Sequence, residues 1–297
     1  MIKMTRRQNV EYEERIVAFI DILGFKDIVR RSERSPRTLN LIYDSLTFLK
    51  KRELASNWDL QLIEIEEDAQ KRGIEKFDIS ERTSCSSFSD SIAVSVSFQE
   101  NELNESFSTL IANLSYVGTQ LLMKGVLFRG GITIGKTFHK DGIIFGQGLI
   151  DAYALESNAA SYPRILISDR LINGLNYPIE SKKKRYPYHQ YLKRFRDGCV
   201  GFHQMIYFEV LQNWEEMSKT RLENSLQRIK RTIIRGLDSS FENPNVYEKY
   251  VWLKNEYNDL KIDNGLLPRL YDLNENISGQ NIHFSYTDDY YEEESSR

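Results

Sequence analysis

Cysteine and long apolar runs are scarce in this sequence. Only two of its 297 residues are cysteines, Cys85 and Cys199, which excludes a disulfide framework and suits a reducing compartment. No apolar run approaches the ~18 residues that a membrane span needs. The first segment, MIKMTRRQNVEYEER, lacks the apolar centre of a signal peptide. We therefore expect a cytoplasmic protein without a membrane span.

The chain also has little net charge. Its 40 basic and 43 acidic residues leave a formal charge of −3, which provides no bulk attraction to nucleic acid or acidic membranes. The basic stretch KKKRYPYHQYLKRFR (182–196) is interpreted as a solvated loop. The hydrophobic content of 40% is that of an ordinary globular protein. Nucleic acid is therefore not an expected partner.

Short apolar runs alternate with segments of helical spacing. We predict strands at 16–20, 126–135, 142–148 and 205–211, and a hairpin at 84–98 whose turn lies in FSDS. Apolar residues recur at helical spacing at 39–49, 107–121, 149–160, 222–233 and 246–257. The segment RILISDRLINGL (164–175) predicts a strand followed by a short helix. The charged segment QLIEIEED (61–68) is compatible with an edge strand or a helix.

This order predicts an α/β (α+β) fold, a ferredoxin-like antiparallel sheet with helices on one face. We expect a catalytic domain at 14–211 and a helical C-terminal extension at 212–285. Flexible termini are expected at 1–13 and at 286–297, where the sequence is acidic and polar. The layout places the end of the first strand beside the tip of the hairpin.

Two carboxylates lie at those two points. Asp21 ends the apolar run of RIVAFIDILGF, where an unpaired charge is costly to bury, and Asp90 lies in the hairpin turn. Each has an ordinary alternative, Asp21 as a helix N-cap and Asp90 as a turn residue. As a pair on neighbouring strand ends they favour a different role, the binding of hard cations such as Mg²⁺. Two such ions stabilise the attacking and leaving oxygens of a phosphoryl displacement.

Five segments, in order, resemble motifs of the class III nucleotide cyclases. FIDILGF is similar to their first metal-binding strand, and SFSDSIAV to the hairpin with the second metal-binding Asp. The other three are RGGITIG, similar to their Arg-x-Gly-Ile-x-x-Gly strand, FGQGLIDAYALE, placed at their Trp-Gly-Asp helix, and RILISDRLINGL. The resemblance covers roughly residues 14–211.

The resemblance implies a set of site residues. Asp21 and Asp90 would hold two Mg²⁺ or Mn²⁺ ions, helped by the carbonyl of Ile22. The turn at Gly24 and Phe25 would present backbone N–H groups to the phosphates. Arg129 either reaches a phosphate or forms a structural salt bridge. The ribose 3′-hydroxyl would attack the α-phosphate and release pyrophosphate.

The sequence departs from that family at the positions that read purines and stabilise the transition state. Ser86 and Ile143 occupy the two purine-reading positions, and neither reproduces an adenine or guanine pair. The family's transition-state Asn falls on Ile150 or Asp151, and its Arg on Ala154. Replacement cations considered from sequence are Lys136, Lys140 and Arg164. We assign no catalytic role to the four histidines, which show no ligand spacing: His139, His189, His203 and His283.

In both departures the sequence resembles one branch of the family, the bacterial pyrimidine cyclases of anti-phage (Pycsar) systems. That likeness implies conversion of UTP or CTP to cyclic UMP or cyclic CMP, a homodimer with active sites between subunits, and a separate effector protein that senses the product. Tyr43 is a candidate base contact, although a core position on its helix is the alternative. An inactive nucleotide-binding or interaction module, a purine cyclase and a linear dinucleotide synthase are the competing hypotheses.

Overall fold

The structure, a computed structural model, describes residues 10–51, 79–175, 177, 187–211 and 219–262. The undecided segment at 61–68 and the terminus at 286–297 lie outside these residues. The strands are β1 (Glu13–Ile22), β2 (Thr83–Phe88), β3 (Ser91–Ser97), β4 (Phe128–Lys140), β5 (Ile143–Gly146), β6 (Arg164–Ile167), β7 (Lys193–Arg194) and β8 (Val200–His203). The helices are α1 (Phe25–Ser32), α2 (Pro36–Lys51), α3 (Leu103–Met123), α4 (Gln147–Ala159), α5 (Asp169–Leu175), α6 (Ile206–Leu211), α7 (Lys219–Ser240) and α8 (Pro244–Asn258).

One eight-stranded sheet organises these elements. The strand order is β2-β3-β1-β4-β6-β8-β7, and β5 pairs with β4 outside this path. The pairs are antiparallel except for β4 with β6, which is parallel. The predicted mixed α/β fold is therefore confirmed, and so is the hairpin of β2 and β3.

The central strand β1 is apolar because both of its faces are covered. Ile16, Ala18 and Ile20 join the main core, where they pack with the apolar face of α3. Val17 and Phe19 point to the other face of the sheet and pack with Ala152 of α4. Alternate residues of a strand face opposite sides, so a strand without polar alternation is buried on both.

The position of α4 corrects the expectation that the helices share one face of the sheet. Gly131 of β4 makes the second layer possible, because a Cβ atom there would lie 2.6 Å from the carbonyl oxygen of Ala152. It would also lie 2.9 Å from Cβ of Leu155. The backbone of α4 thus lies directly on the strand, on the same face as Asp21.

The prediction of a final strand at 205–211 is wrong. This segment forms the helix α6, and the last strand is β8, which ends at His203. Gln204, between them, is anchored by its side chain, which accepts from the backbone N–H of Phe128 and donates to the carbonyls of Gly118 and Val126. A short apolar run that is wholly buried does not show by periodicity whether it is a strand or a helix.

The basic stretch at 182–196 is not a solvated loop over the part that the structure describes, 187–196. It forms a 3-10 turn, Pro187–Gln190, and the strand β7. Its aromatic and aliphatic side chains are buried while its charges lie outside the core, as at Tyr188, Tyr191, Leu192 and Phe195. The prediction weighed only the number of basic residues and not the buried aromatic and aliphatic residues between them.

The predicted C-terminal helices are confirmed as α7 and α8. Their apolar faces form a second core with Leu122, Leu127, Met205 and Phe208 of the sheet domain. Leu23, in the turn between β1 and α1, also packs against this core. None of the described helices is long and apolar enough to span a membrane.

Candidate functional site

The two carboxylates predicted from the sequence lie together at one end of the sheet. Asp21 is the next-to-last residue of β1 and is paired with Ser91 of β3 on one side and with Arg129 of β4 on the other. The Ser91 hydroxyl lies 3.5 Å from Oδ1 of Asp21 and 3.5 Å from Oδ1 of Asp90. The backbone N–H of Ile22 donates to the carbonyl of Asp90 at 3.0 Å, which ties the hairpin tip to β1.

Asp21 lies in a place that disfavours its charge. Burial raises the pKa of its carboxyl above the ordinary value, and the nearby charge of Asp90 raises that pKa further. The Arg129 guanidinium, whose Nε lies 3.3 Å from Oδ2 of Asp21, lowers the pKa and offsets part of this effect. A bound cation would stabilise the charged form of this carboxylate, which its surroundings disfavour.

A third carboxylate, Glu156 of α4, was not predicted from the sequence. It is 2% exposed, and its Oε1 lies 2.7 Å from Nε of Arg129, an ion pair whose angle does not make a hydrogen bond. Burial raises the pKa of the Glu156 carboxyl, and the charges of Asp21 and Asp90 add to the rise, while Arg129 opposes it. The sequence signal that could have identified Glu156 is a lone Glu on the apolar side of the helical segment ALESNAA, because a buried Glu normally has a charged partner.

The turn after β1 settles the alternative role of Asp21. The residue at the N-cap of α1 is Gly24, with φ of 71°, and no side chain caps this helix. The N–H groups of Asp27 and Ile28 both donate to the carbonyl of Gly24. Asp21 is therefore not a helix cap. Phe25 is the first residue of α1, so the turn precedes a helix N-terminus, where backbone N–H groups favour anions.

Asp90 occupies the hairpin turn, the ordinary position for an Asp in such a segment. It follows Ser89, whose φ of 55° lies in the left-handed region, and both residues connect β2 to β3. This position also brings the carboxyl to the Ser91 hydroxyl that Asp21 contacts. The turn role and a role as a ligand are thus compatible at the same residue.

Ser86 and Ile143, the two positions that the resemblance compares with purine-reading residues, lie close together but differ in exposure. Ser86 is 5% exposed, and its hydroxyl donates to the carbonyl of Gly142, the residue before Ile143. The same hydroxyl lies 2.9 Å from Nε2 of His139. Ile143, on β5, is 59% exposed. The Ser86 hydroxyl is therefore engaged within the protein, and the adjacent surface is apolar.

His139 belongs to a directed chain of hydrogen bonds across the sheet. Arg15 Nε donates to the Ser95 hydroxyl at 2.8 Å, and that hydroxyl lies 2.7 Å from Nδ1 of His139. Because the Ser86 hydroxyl donates its hydrogen to the carbonyl of Gly142, its oxygen accepts from Nε2–H of His139, and Nδ1 is left to accept from the Ser95 hydroxyl. Burial lowers the pKa of His139 to about 4, and the charge of Arg15 contributes.

The cations proposed from sequence lie elsewhere in the chain. Lys136 is exposed and lies opposite Glu14 in the strand register, seven residues along β1 from Asp21. Lys140 lies four residues farther from Asp21 along β4. Arg164 is buried, forms an ion pair with Asp197 and stacks against the Phe195 ring at 4.7 Å. Lys136 and Lys140 are therefore remote from Asp21 along the strands, whereas Arg164, which is level with Arg129 on the neighbouring strand, is paired with Asp197 instead.

The remaining candidates lie on helical surfaces. Tyr43, on α2, is 68% exposed, so its alternative as a core residue is wrong. Among the described residues, no contact joins Tyr43 to the Asp pair. Ile150 is 57% exposed on α4, and Asp151 accepts from Gln147 on the same helix. Ala154 follows on the same helix.

The donor set suits hard cations. Within the residues that the structure describes, no group of three or more His, Cys, Asp and Glu side chains is arranged to hold a metal ion. Asp21 and Asp90 are two carboxylates, and their convergence on Ser91 fits oxygen ligation that backbone carbonyls, phosphates and water complete. Mg²⁺ typically binds in this way, through one or two carboxylates and substrate phosphates.

Comparisons with known proteins yield structural similarities alone. No protein-family model and no curated protein matches the chain. The adenylyl cyclase CyaB from P. aeruginosa is 19% identical over 65% of this chain and 94% of its own, with a TM-score of 0.38. The monomeric guanylyl cyclase domain of the RhoGC fusion protein from Blastocladiella emersonii is 14% identical over 65% of this chain and 95% of its own, with a TM-score of 0.34.

Proposed function

We propose that this protein is a nucleotide cyclase that converts a pyrimidine nucleoside triphosphate, UTP or CTP, to its 3′,5′-cyclic monophosphate and pyrophosphate. The observation that carries the proposal is the convergence of Asp21 and Asp90 on the Ser91 hydroxyl at the end of β1. An acidic pair beside a helix N-terminus matches a polyphosphate that arrives with divalent cations.

Each part of the site has a role in this proposal. Asp21 and Asp90, with the carbonyl of Ile22, would hold Mg²⁺ or Mn²⁺, which would supply positive charge at the attacking and leaving oxygens. The N–H groups at Gly24 and Phe25 orient the phosphates. Arg129 contributes a fixed positive charge beside Asp21, and Glu156 holds the guanidinium in place.

The pyrimidine preference rests on what the two purine-reading positions lack. The Ser86 hydroxyl is engaged with Gly142 and His139, and Ile143 offers no hydrogen bond. A purine whose exocyclic groups go unpaired loses about 1–3 kcal/mol of binding free energy for each group, which is roughly fivefold to 150-fold in affinity. We expect UTP to be preferred over CTP because of the likeness to the anti-phage branch. That likeness also underlies a role in anti-phage signalling with a separate effector.

A second candidate is an inactive cyclase-like module that binds nucleotides. The ion pair between Asp21 and Arg129 favours it, because an internal cation already offsets the charge of Asp21. The lack of an Asn at Ile150 or Asp151 and of an Arg at Ala154, where the resembled family has its transition-state groups, also favours the inactive module. Two carboxylates kept around one hydroxyl without a catalytic need would only cost stability, and we therefore favour the enzyme.

Equal concentrations of the four nucleoside triphosphates, incubated with the purified protein and Mg²⁺ or Mn²⁺, test the proposal. We expect cyclic UMP as the main product by mass spectrometry, cyclic CMP second and little cyclic purine. Cyclic AMP or cyclic GMP as the main product overturns the pyrimidine preference and leaves a purine cyclase. Nucleotide binding without any cyclic product supports the inactive module.

A homodimer is part of the proposal, and exposed apolar side chains of α4, the helix that covers the face of Asp21, support it. Ile150 and Tyr153 are each more than 50% exposed on this helix. Specific interfaces bury about 1,200–2,000 Å² and are apolar at their centre. We expect a dimer at micromolar concentration by light scattering.

Ile150→Glu places a charge at the centre of this apolar surface. We expect the variant to be a monomer and to lose most cyclase activity, at least about tenfold, while its melting temperature stays unchanged. Glu242→Gln, a change at an exposed residue in the turn between α7 and α8, is the matched control and keeps the dimer. A dimeric Ile150→Glu, or an active monomer, contradicts the assembly.

A further inference from the structure

One N–H group of Arg129 lies between two carboxylates and forms a hydrogen bond with only one of them. Its Nε donates to Oδ2 of Asp21 at 3.3 Å. Oε1 of Glu156 is nearer to the same Nε, at 2.7 Å, but the angle there does not make a hydrogen bond. Because Nε carries a single hydrogen, it does not serve both carboxylates at once.

The carboxylate oxygen without that hydrogen bond is the more deeply buried one. The Glu156 side chain is 3% exposed, and its Oε1 accepts no hydrogen bond from any of the described residues. The Asp21 side chain is 19% exposed. A buried acceptor without a hydrogen bond costs free energy, because water does not reach it in place of the missing donor. The bond of Arg129 Nε therefore goes to the carboxylate that solvent and ions can also reach.

A second contact keeps the guanidinium beside Glu156. Nη1 of Arg129 donates to the carbonyl of Ala160, the C-cap of α4, at 3.3 Å. Glu156 lies one turn earlier on the same helix. Since Nε is already 2.7 Å from Oε1 of Glu156, a change of angle alone turns its hydrogen from Asp21 to Glu156.

Asp21 is approached from two sides, through different oxygens. The Ser91 hydroxyl, which also contacts Asp90, lies 3.5 Å from Oδ1 of Asp21, on the side of β3. Arg129 contacts Oδ2, on the side of β4. A divalent cation that binds Asp21 and Asp90 takes up the negative charge that attracts the guanidinium, and it repels the guanidinium as a like charge. Glu156 remains as a carboxylate for Arg129.

We propose that Arg129 is a resident counter-cation of Asp21, and that binding of a divalent cation by Asp21 and Asp90 shifts the Nε hydrogen bond of Arg129 to Glu156. The identity of that cation rests on the proposed function. Glu156 is a positioning residue, which sets the affinity of the acidic pair for the cation without touching it. The ion pair between Asp21 and Arg129 is then compatible with a cation site, because the guanidinium has a second carboxylate within reach.

Titration of the full chain with Mn²⁺, without nucleotide and with free Mn²⁺ measured by electron paramagnetic resonance, tests this role. The binding step that Asp90→Asn abolishes is assigned to the acidic pair. We expect Glu156→Gln to weaken this step at least about fivefold, because Arg129 then keeps Asp21 as its charged partner. Arg129→Gln removes the competing cation and strengthens the step at least about threefold. Glu223→Gln, which removes an exposed carboxylate from α7, is the matched control and leaves the step unchanged.

A double variant separates the shift of the hydrogen bond from a direct effect of charge. If Glu156 acts through Arg129, Glu156→Gln changes Mn²⁺ affinity by less than about twofold in the Arg129→Gln background. If the charge of Glu156 acts on Mn²⁺ directly, the same loss occurs with and without Arg129, and the proposed role of Glu156 is wrong. Thermal melting shows that each variant is folded, and Arg129→Met replaces Arg129→Gln where the latter is not.

Cyclic nucleotide formation by the same preparations distinguishes this role from the proposed function. A wild type that forms cyclic nucleotide, with Mn²⁺ affinity unchanged in Glu156→Gln, keeps the cyclase and overturns the role of Glu156. The expected changes in Mn²⁺ affinity without any cyclic product support the shift of the hydrogen bond and overturn the cyclase. A wild type without a Mn²⁺-binding step that depends on Asp90 overturns the role of Arg129 as a counter-cation.

Discussion

Asp21→Asn and Asp90→Asn are each expected to lower kcat of the cyclase at least about a thousandfold. Loss of either carboxylate removes a ligand for cations whose charge is worth several kcal/mol at the transition state, and each 1.36 kcal/mol is a factor of about ten. Steady-state formation of cyclic nucleotide, measured at saturating Mg²⁺ or Mn²⁺, provides the rate. A variant that keeps near-wild-type turnover removes the two-metal hypothesis.

The same substitutions are expected to leave the metal-free protein folded, with an unchanged or higher melting temperature. Asp21 has a raised pKa in the folded state, so its ionisation at neutral pH lowers the free energy of unfolding. The neutral amide removes this cost, and Arg129 keeps Glu156 as its partner. Asp27→Asn is the matched control, because Asp27 is exposed on α1 and pairs with exposed Arg30. It should change neither kcat nor the melting temperature.

The free energy of unfolding is expected to fall by about 2 kcal/mol between pH 7 and pH 5 through His139 alone. The ordinary pKa of 6.5 applies to the unfolded state, and the folded pKa is about 4. The unfolded chain therefore binds the proton first, and stability is lost as the pH falls below 6.5. Protonation at Nδ1 would place a donor against the Ser95 hydroxyl, whose oxygen accepts from Arg15.

Comparison with a neutral variant isolates this effect. Asp21, Glu156 and Glu209 have raised pKa values and act in the opposite direction, so the wild-type profile alone does not report on one histidine. In urea unfolding, His139→Gln should be less stable than the wild type at pH 7 and lose less stability toward pH 5. His203, whose pKa burial lowers to about 3, provides an independent second test with the same sign. Parallel pH profiles of wild type and His139→Gln would contradict the assignment.

Local patterns were sufficient for the order of the elements and for the position of the acidic pair. The unbroken apolar run before Asp21 indicates a strand buried on both faces, and FSDS between alternating runs indicates a hairpin with Asp90 in its turn. These are short-range signals, because burial and turn chemistry act on neighbouring residues. They did not distinguish strand from helix at 205–211, where every position except Glu209 is apolar.

Contacts between distant residues decided the rest, and no local pattern contains them. Arg129 meets Asp21 across 108 residues because β1 and β4 pair in one register, and Glu156 joins them because Gly131 lets α4 lie on that face. The sequence alone thus determined which strand ends carry the carboxylates. Only the tertiary structure determined which cations stand beside them, since that depends on packing rather than on spacing.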